Sequence, residues 1–372
     1  MLSRSTLCSL GLAGLFALLG AGCAPESPGS EGTQSVTQNG KVCTTRGCGT
    51  TDEPNGRGIH IGRTDPQSEY GIHNSDGSFK WWLTHFESSG GKVQAAGWFI
   101  DGSGTAVKVL SSTIAASYLG KPAALLDMTS QGSQLVVTLR DTAGIVFTLT
   151  DKEAVGLELD FSLANPDRRL AHDFQLTIDS AAELKSLTGD VFGYTVRYAD
   201  RTLGDKPREL CQNAVTGPEP NLFFGGASWH PISAERIDAK EHLTITCGNT
   251  GAVAVCMGWG YRPWASAFNG ISGADESLRD THQACIQMKR AAYCGGAEAF
   301  TLEGTKILIQ DIYEPAFNDS RSPDLEAVWT PKGAKCVSHP RHDPATYFAS
   351  ACGQTLPQCP AGITDTLVTS IP

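Results

Sequence analysis

The chain has no extended basic stretch: its longest cationic runs are the pairs Lys289-Arg290 and Arg168-Arg169. With a formal net charge of −10 it has nothing to lay along a row of phosphates. Nucleic-acid binding, whose affinity comes largely from such contacts, is excluded. A phosphate-cradling loop is missing too, since "GGASWH" lacks the lysine and the following helix. So is a Gly-x-Ser-x-Gly nucleophile elbow. Ser228, His230 and Asp238 could supply a Ser–His–Asp set, but "ASWHP" is not that turn. Beyond the first 22 residues no apolar run is long enough to cross a bilayer. No internal repeat of useful period is present. Finally, no cysteine lies between Cys48 and Cys211, so that stretch must be held by packing alone.

What is there begins with "MLSRSTLCSLGLAGLFALLGAG", residues 1–22, in which Arg4 precedes an apolar run from Leu7 to Leu19. A run of that length ending in small residues reads as an export signal, not a spanning helix. "LLGAGC" resembles a bacterial lipoprotein signal, which implies that Cys23 is acylated and becomes the first mature residue. Lipid would then anchor the chain to a membrane surface without spanning it. Loss of Arg4 with the signal makes the mature charge about −11. Cys8 leaves with the signal and Cys23 takes lipid, which leaves ten of the twelve cysteines, an even number. In an exported chain, five disulfides are the default expectation for Cys43, Cys48, Cys211, Cys247, Cys256, Cys285, Cys294, Cys336, Cys352 and Cys359.

Length and composition suggest roughly two globular domains of about 150 residues each. Residues 23–56, rich in Gly, Ser, Thr and Pro, form a tether unable to bury a core. Cys43 and Cys48 within it close a small loop on each other. From residue 57 strand signals recur at hairpin spacing: Phe79–Phe86, Lys92–Ile100, Ala106–Val109, Gln134–Leu139, Ile145–Thr150, Val155–Leu163 and Phe174–Ile178. This predicts an antiparallel sandwich or barrel over 57–185. A disulfide-rich α+β domain over 186–362 follows, then a tail at 363–372. Its first strand is "DVFGYTVRYA"; "HLTITC" and "AVAVCMGWGY" read as two more, joined by a turn at residues 248–251.

The one clear helix spans Asp275 to Cys294, with acidic residues at its start, Lys289 and Arg290 near its end, and Gly295-Gly296 as a stop. Cys285 and Cys294, nine residues apart, stand half a turn out of phase and about 13.5 Å apart along such a helix. A disulfide needs α-carbons within about 7 Å. The two thiols therefore reach different partners, among the strand cysteines Cys247 and Cys256 or the tail cysteines, and the helix acts as a cross-pin. Eight cysteines outside the tether permit 105 pairings, and spacing does not choose among them.

Candidate sites are few. Cys336, His339 and His342 have spacing suited to zinc, but Pro340 breaks any helix that would align them, and Cys336 belongs to the even set. His282 and Cys285 could form a Cys–His pair unless Cys285 is in a disulfide. No cofactor is implied. Trp81, Trp82, Trp98, Trp259, Tyr261 and Trp264 could stack on a sugar if exposed, or fill the core. Adjacent Trp81 and Trp82 point to opposite faces of a strand, so one of them can face solvent.

The ordered succession "HLTITCGNTGAVAVCMGWGYRPW", "HQACIQMKRAAYCGG", "EAVWTPKGAKCVSHPRHDP" and "CGQTLPQC" resembles the ADYC-domain proteins. These are exported, often lipid-anchored proteins of myxobacteria named for an Ala-Asp-Tyr-Cys tetrapeptide. Here the tetrapeptide is Ala291-Ala292-Tyr293-Cys294, so Ala292 stands in place of the aspartate. The resemblance covers about residues 186–362. It implies a secreted domain built on disulfides and no particular activity. Together these readings predict a mostly β lipoprotein of the bacterial outer membrane or cell surface with a non-enzymatic binding or structural role. Its expected partners are the membrane, through its lipid, and an envelope protein or glycan. The alternative is a secreted hydrolase of polysaccharide or peptide acting through carboxylates that carry no local motif.

Overall fold

The computed structural model describes residues 80–100, 106–166, 171–184, 191–213, 217–231, 233–248, 251–295, 300, 307–314, 324–341, 353, 355–361, 363 and 365–371. The expected signal and tether, with Cys23, Cys43 and Cys48, lie outside the described residues, as do Cys352 and His342.

The described chain is mostly antiparallel β structure. Its first strands are β1 (Lys80–Ser89), β2 (Lys92–Ile100), β3 (Ala106–Thr113), β4 (Ala115–Tyr118) and β5 (Lys121–Gln131). They continue as β6 (Gln134–Asp141), β7 (Val146–Thr150), β8 (Leu157–Ala164), β9 (Ala171–Glu183) and β10 (Phe192–Asp200). Short β11 (Arg208–Glu209), β12 (Gln212–Asn213) and β13 (Gly217–Pro218) lead to long β14 (Asn221–Trp229) and β15 (Arg236–Cys247). Then come helix α1 (Ala252–Gly258), β16 (Ser266–Asn269), β17 (Ala274–Ser277) and helix α2 (Arg279–Arg290). The chain closes with β18 (Leu308–Asp311), β19 (Tyr313–Glu314), β20 (Leu325–Thr330), β21 (Gly333–Val337) and β22 (Leu367–Ser370).

Thirteen strands share one sheet, in the order β3-β2-β1-β15-β14-β10-β9-β8-β4-β5-β6-β7, with β11 beside β10. Strict alternation explains which face is inside. Leu135, Val137 and Leu139 of β6, Leu157, Leu159, Phe161 and Leu163 of β8, and Phe174, Leu176 and Ile178 of β9 are all buried. The β6–β7 hairpin closes as its turn residues predict: the Asp141 carboxylate accepts from the Ala143 and Ile145 backbone amides at 2.9 and 2.8 Å. β3 and β4 form one nearly continuous strand that exchanges partner β2 for partner β8 around Ile114. Such a corner strand lets the sheet turn back over itself. Cross-layer hydrogen bonds secure the fold-back: Met128 N donates to Ser88 Oγ at 3.0 Å, Gly225 N to Ser130 Oγ at 2.7 Å, and Leu135 N to Tyr194 OH at 2.8 Å. The sheet does not close into a barrel.

The sheet continues across the change in composition near residue 186, since β9 pairs with β10 along its length. One core cluster joins Leu83 and Phe86 of β1 to Leu243 and Ile245 of β15. The segment expected as a C-terminal tail supplies β22, which lies between β18 and β20 with all four residues buried.

Three elements differ from expectation. "AVAVCMG" is helix α1, not a strand, with Ala252–Met257 all buried. A short apolar run has no period to distinguish the two, and a helix buried all round lacks a polar stripe to betray it. Helix α2 is shorter than the acidic and basic ends suggested. Asp275 and Glu276 belong to β17, paired with β16, and Ala291 in the left-handed conformation (φ 51°) ends the helix before Cys294. β5 carried no strand signal, because Lys-Pro-Ala-Ala and Asp127 are poor strand formers; its pairing with β6 imposes the conformation.

Candidate functional site

The described thiols are joined as Cys211–Cys247, Cys256–Cys285 and Cys336–Cys359. Cys294 is also disulfide-bonded, to a partner outside the described residues. Cys285 fastens α2 to α1, while Cys294 lies past the end of the helix. The Cys256–Cys285 bond removes the thiol from the His282–Cys285 candidate, and His282 Nε2 donates instead to the Val253 carbonyl at 2.9 Å. The Cys336–Cys359 bond removes Cys336 from the zinc candidate. His339 is exposed, its Nδ1 lying 3.3 Å from the Leu325 carbonyl. The Ser228–His230–Asp238 set is dispersed. His230 sits edge-on to Trp98 at 4.4 Å, and Asp238 pairs with Arg236 and Arg279 at 3.0 and 2.6 Å.

Of the candidate stacking aromatics, Tyr261 is corrected outright: it is buried, and its hydroxyl donates to Asp311 Oδ2 at 2.6 Å. Trp81 and Trp82 sit on β1, their side chains outside the described residues. Trp259 caps α1, half-buried against the core beneath. Trp264 borders a cleft. That cleft, about 350 Å³, is lined by Gln131, Gly132, Gln134, Glu183, Phe192 and Trp264. It forms where the β5–β6 turn, the end of β9 and the start of β10 meet the segment after α1. The Trp264 indole leans on Phe224 at 5.6 Å, and the turn glycine Gly132 (φ 62°) lies so close beneath it that a Cβ there would be 3.1 Å from Nε1. The cleft thus offers one fixed indole, two side-chain amides and one carboxylate.

The tetrapeptide itself is structural. Ala291 and Ala292 are buried without remainder. The Tyr293 ring stacks on Trp329 at 5.1 Å. Its hydroxyl donates to Glu326 Oε1 at 2.5 Å and accepts from the Arg341 backbone amide at 2.9 Å. Arg341 in turn holds both Glu326 oxygens, at 2.6 and 3.0 Å, with neither side chain exposed. Burial, and then the Glu326 carboxylate, push the Tyr293 phenol well above its usual range. Burial pulls the Arg341 guanidinium down, but the facing Glu326 outweighs it and the net shift is upward. Residues 144–343 match the ADYC domain. The chain belongs to the ADYC-domain family. The match begins within the β6–β7 hairpin, so the ADYC domain here shares its sheet with strands that precede it. No curated protein matches the chain, and no solved structure does.

A second cluster escaped the sequence reading. His85 and Glu87, two apart on β1, face the same side, and His242 of β15 stands directly across from Glu87. His85 Nε2 and His242 Nε2 lie 3.0 and 3.4 Å from the same atom, Glu87 Oε1. The two imidazoles are 4.3 Å apart. Behind them, Thr84 Oγ1 is 2.9 Å from His85 Nδ1 and Ser228 Oγ is 2.9 Å from His242 Nδ1. Lys108 of β3 also pairs with Glu87. Hydrogen bonds from His242 and His85, then from Lys108, hold the Glu87 carboxyl far below the usual carboxylate range. Burial pushes His85 down to about 4. A His-x-Glu on a strand was the available signal, but its meaning depends on the β1–β15 register.

Proposed function

We propose that this ADYC-domain protein is exported, lipid-anchored through Cys23, and acts without catalysis by binding a glycan of the cell envelope in the Trp264 cleft. The observation that carries the binding reading is the make-up of the cleft. An indole with a fixed face, beside Gln131 and Gln134, offers a sugar a stacking surface and amide hydrogen bonds. Its lining includes one carboxylate, Glu183, whereas glycoside hydrolysis ordinarily employs a facing pair. Disulfides support an oxidising compartment outside the cytoplasm. The signature residues support a structural role for the tetrapeptide, because Tyr293 is engaged inside the core.

Affinity electrophoresis of the purified protein through gels containing envelope polysaccharide tests the reading. Retardation by a glycan, lost on Trp264→Ala by about tenfold in affinity, is the expected result. No retardation, with a proteinaceous ligand instead recovered on the same face, would replace the glycan by a protein. Release of reducing ends would replace binding by hydrolysis. Anchoring is checked separately by metabolic labelling with an alkyne fatty acid, which Cys23→Ser should abolish.

A further inference from the structure

We infer that His85, Glu87 and His242 form a site for one zinc-class divalent cation, bridging β1 to β15. Three observations carry it. The first is donor geometry. A tetrahedral ion with bonds of about 2.1 Å needs its ligand atoms about 3.4 Å apart. His85 Nε2 and His242 Nε2 stand 3.0 and 3.4 Å from Glu87 Oε1, and all three donor atoms lie within 4.8 Å of one another. The second is support behind the donors. Imidazoles that ligate through Nε2 need a partner at Nδ1 to fix tautomer and ring angle. Both have one: Thr84 Oγ1 and Ser228 Oγ, each at 2.9 Å. With the ion bound, each Nδ1–H donates to its hydroxyl, and the Thr84 hydroxyl donates in turn to the Ala96 carbonyl at 3.5 Å. The third is burial. Both imidazoles are nearly inaccessible while Glu87 keeps 18 % of its side chain exposed, so an ion can enter on the Glu87 side. Two imidazoles and one carboxylate are a catalytic-type zinc donor set that leaves the fourth position open.

Lys108 is the competitor. Its ammonium pairs with Glu87 and offsets the carboxylate charge in place of an ion, but it is 39 % exposed and has room to swing into solvent. The site lies at a significant seam. β1 meets β15 through only three register pairs, His85↔Thr244, Phe86↔Leu243 and Glu87↔His242. An ion there would clip the three-stranded β1–β3 meander, outside the ADYC match, onto the family domain. The inference is independent of the Trp264 cleft and shares no residue with it.

The test adds zinc chloride to the purified, disulfide-intact chain, followed by desalting, metal analysis and thermal melting. One equivalent retained, with a raised melting temperature, is expected. His85→Gln and His242→Gln should each lower affinity at least a hundredfold and remove the thermal shift. Lys108→Met, which leaves every donor in place, should tighten binding. Cobalt substituted for zinc should give the visible bands of a nitrogen and oxygen donor set, with no thiolate charge transfer. Failure of the wild type to retain metal, retention by both histidine variants, or unchanged affinity in Lys108→Met each overturns the site. Should the histidine variants not fold, the Lys108→Met and cobalt results decide.

Discussion

Tyr293 shows how much one side chain can hold in place. Its hydroxyl joins Glu326 to the Arg341 backbone while its ring lies on Trp329. Tyr293→Phe leaves the shape and removes the hydroxyl, at a cost of about 1–3 kcal/mol in urea unfolding. Glu326→Gln should cost more, about 3–5 kcal/mol, because it strands the buried Arg341 charge. Arg341 Nη1 already has no hydrogen-bond partner among the described residues. The tetrapeptide was legible as a family mark, but its role was not, since Glu326 and Arg341 come from another part of the chain. His282 gives a prediction with a sign. Burial, with the Arg236 charge adding to it, lowers its pKa from 6.5 to about 4. As pH falls from 6.5 toward 4, the unfolded chain gains a proton that the folded chain refuses. The stability contributed by neutral His282 is complete above 6.5 and lost across that window, on the order of 3 kcal/mol. Urea midpoints measured through the window should fall, and His282→Gln should flatten the slope.

At the scale of elements, α2 depends on the bond at its middle and on what packs beyond its end. The Cys256–Cys285 bridge closes 29 residues of chain between α1 and α2. Replacing both cysteines by alanine should cost about 2–4 kcal/mol, read as a shift in denaturant midpoint. Beyond the helix, Gly295 (φ 58°) passes the β20–β21 turn so closely that a Cβ would be 1.9 Å from the Lys332 carbonyl oxygen. Gly295→Ala should cost at least about 2 kcal/mol, from overpacking and left-handed strain together. Gly273→Ala, at φ 69° with nothing nearby, isolates the strain alone, and the difference between the two in thermal melts measures the clash. Gly295 was expected to stop the helix, but Ala291 does so four residues earlier, and the close approach of another turn to Gly295 was not legible. β6, β7, β8 and β9 could be read from alternation; α1 could not, because the same buried run serves either period.

Taken whole, the molecule does not divide where its composition does. Leu83, Phe86, Val93 and Phe99 of the first strands share one core with Tyr194, Val196, Phe223, Leu243 and Ile245. A chain of residues 144–343, the span of the ADYC match, would expose that apolar face. Expressed alone it should give collapsed peaks in an amide NMR spectrum, whereas the chain from residue 36 onward should give dispersed ones. Dispersed peaks from the shorter chain would show that the domain closes its own core.

The β class and the turn chemistry of the β6–β7 hairpin were determined by the sequence alone, because each depends on neighbouring residues and on a fixed strand period; Cys285 and Cys294 do take separate partners, but not for the helical reason, since α2 ends before Cys294. Tertiary structure decided which thiols join, that β9 and β10 share one sheet, that Trp264 borders a cleft, and that His85, Glu87 and His242 converge. Those outcomes depend on register between strands remote in sequence, and register follows from burying one continuous face, which no local window contains.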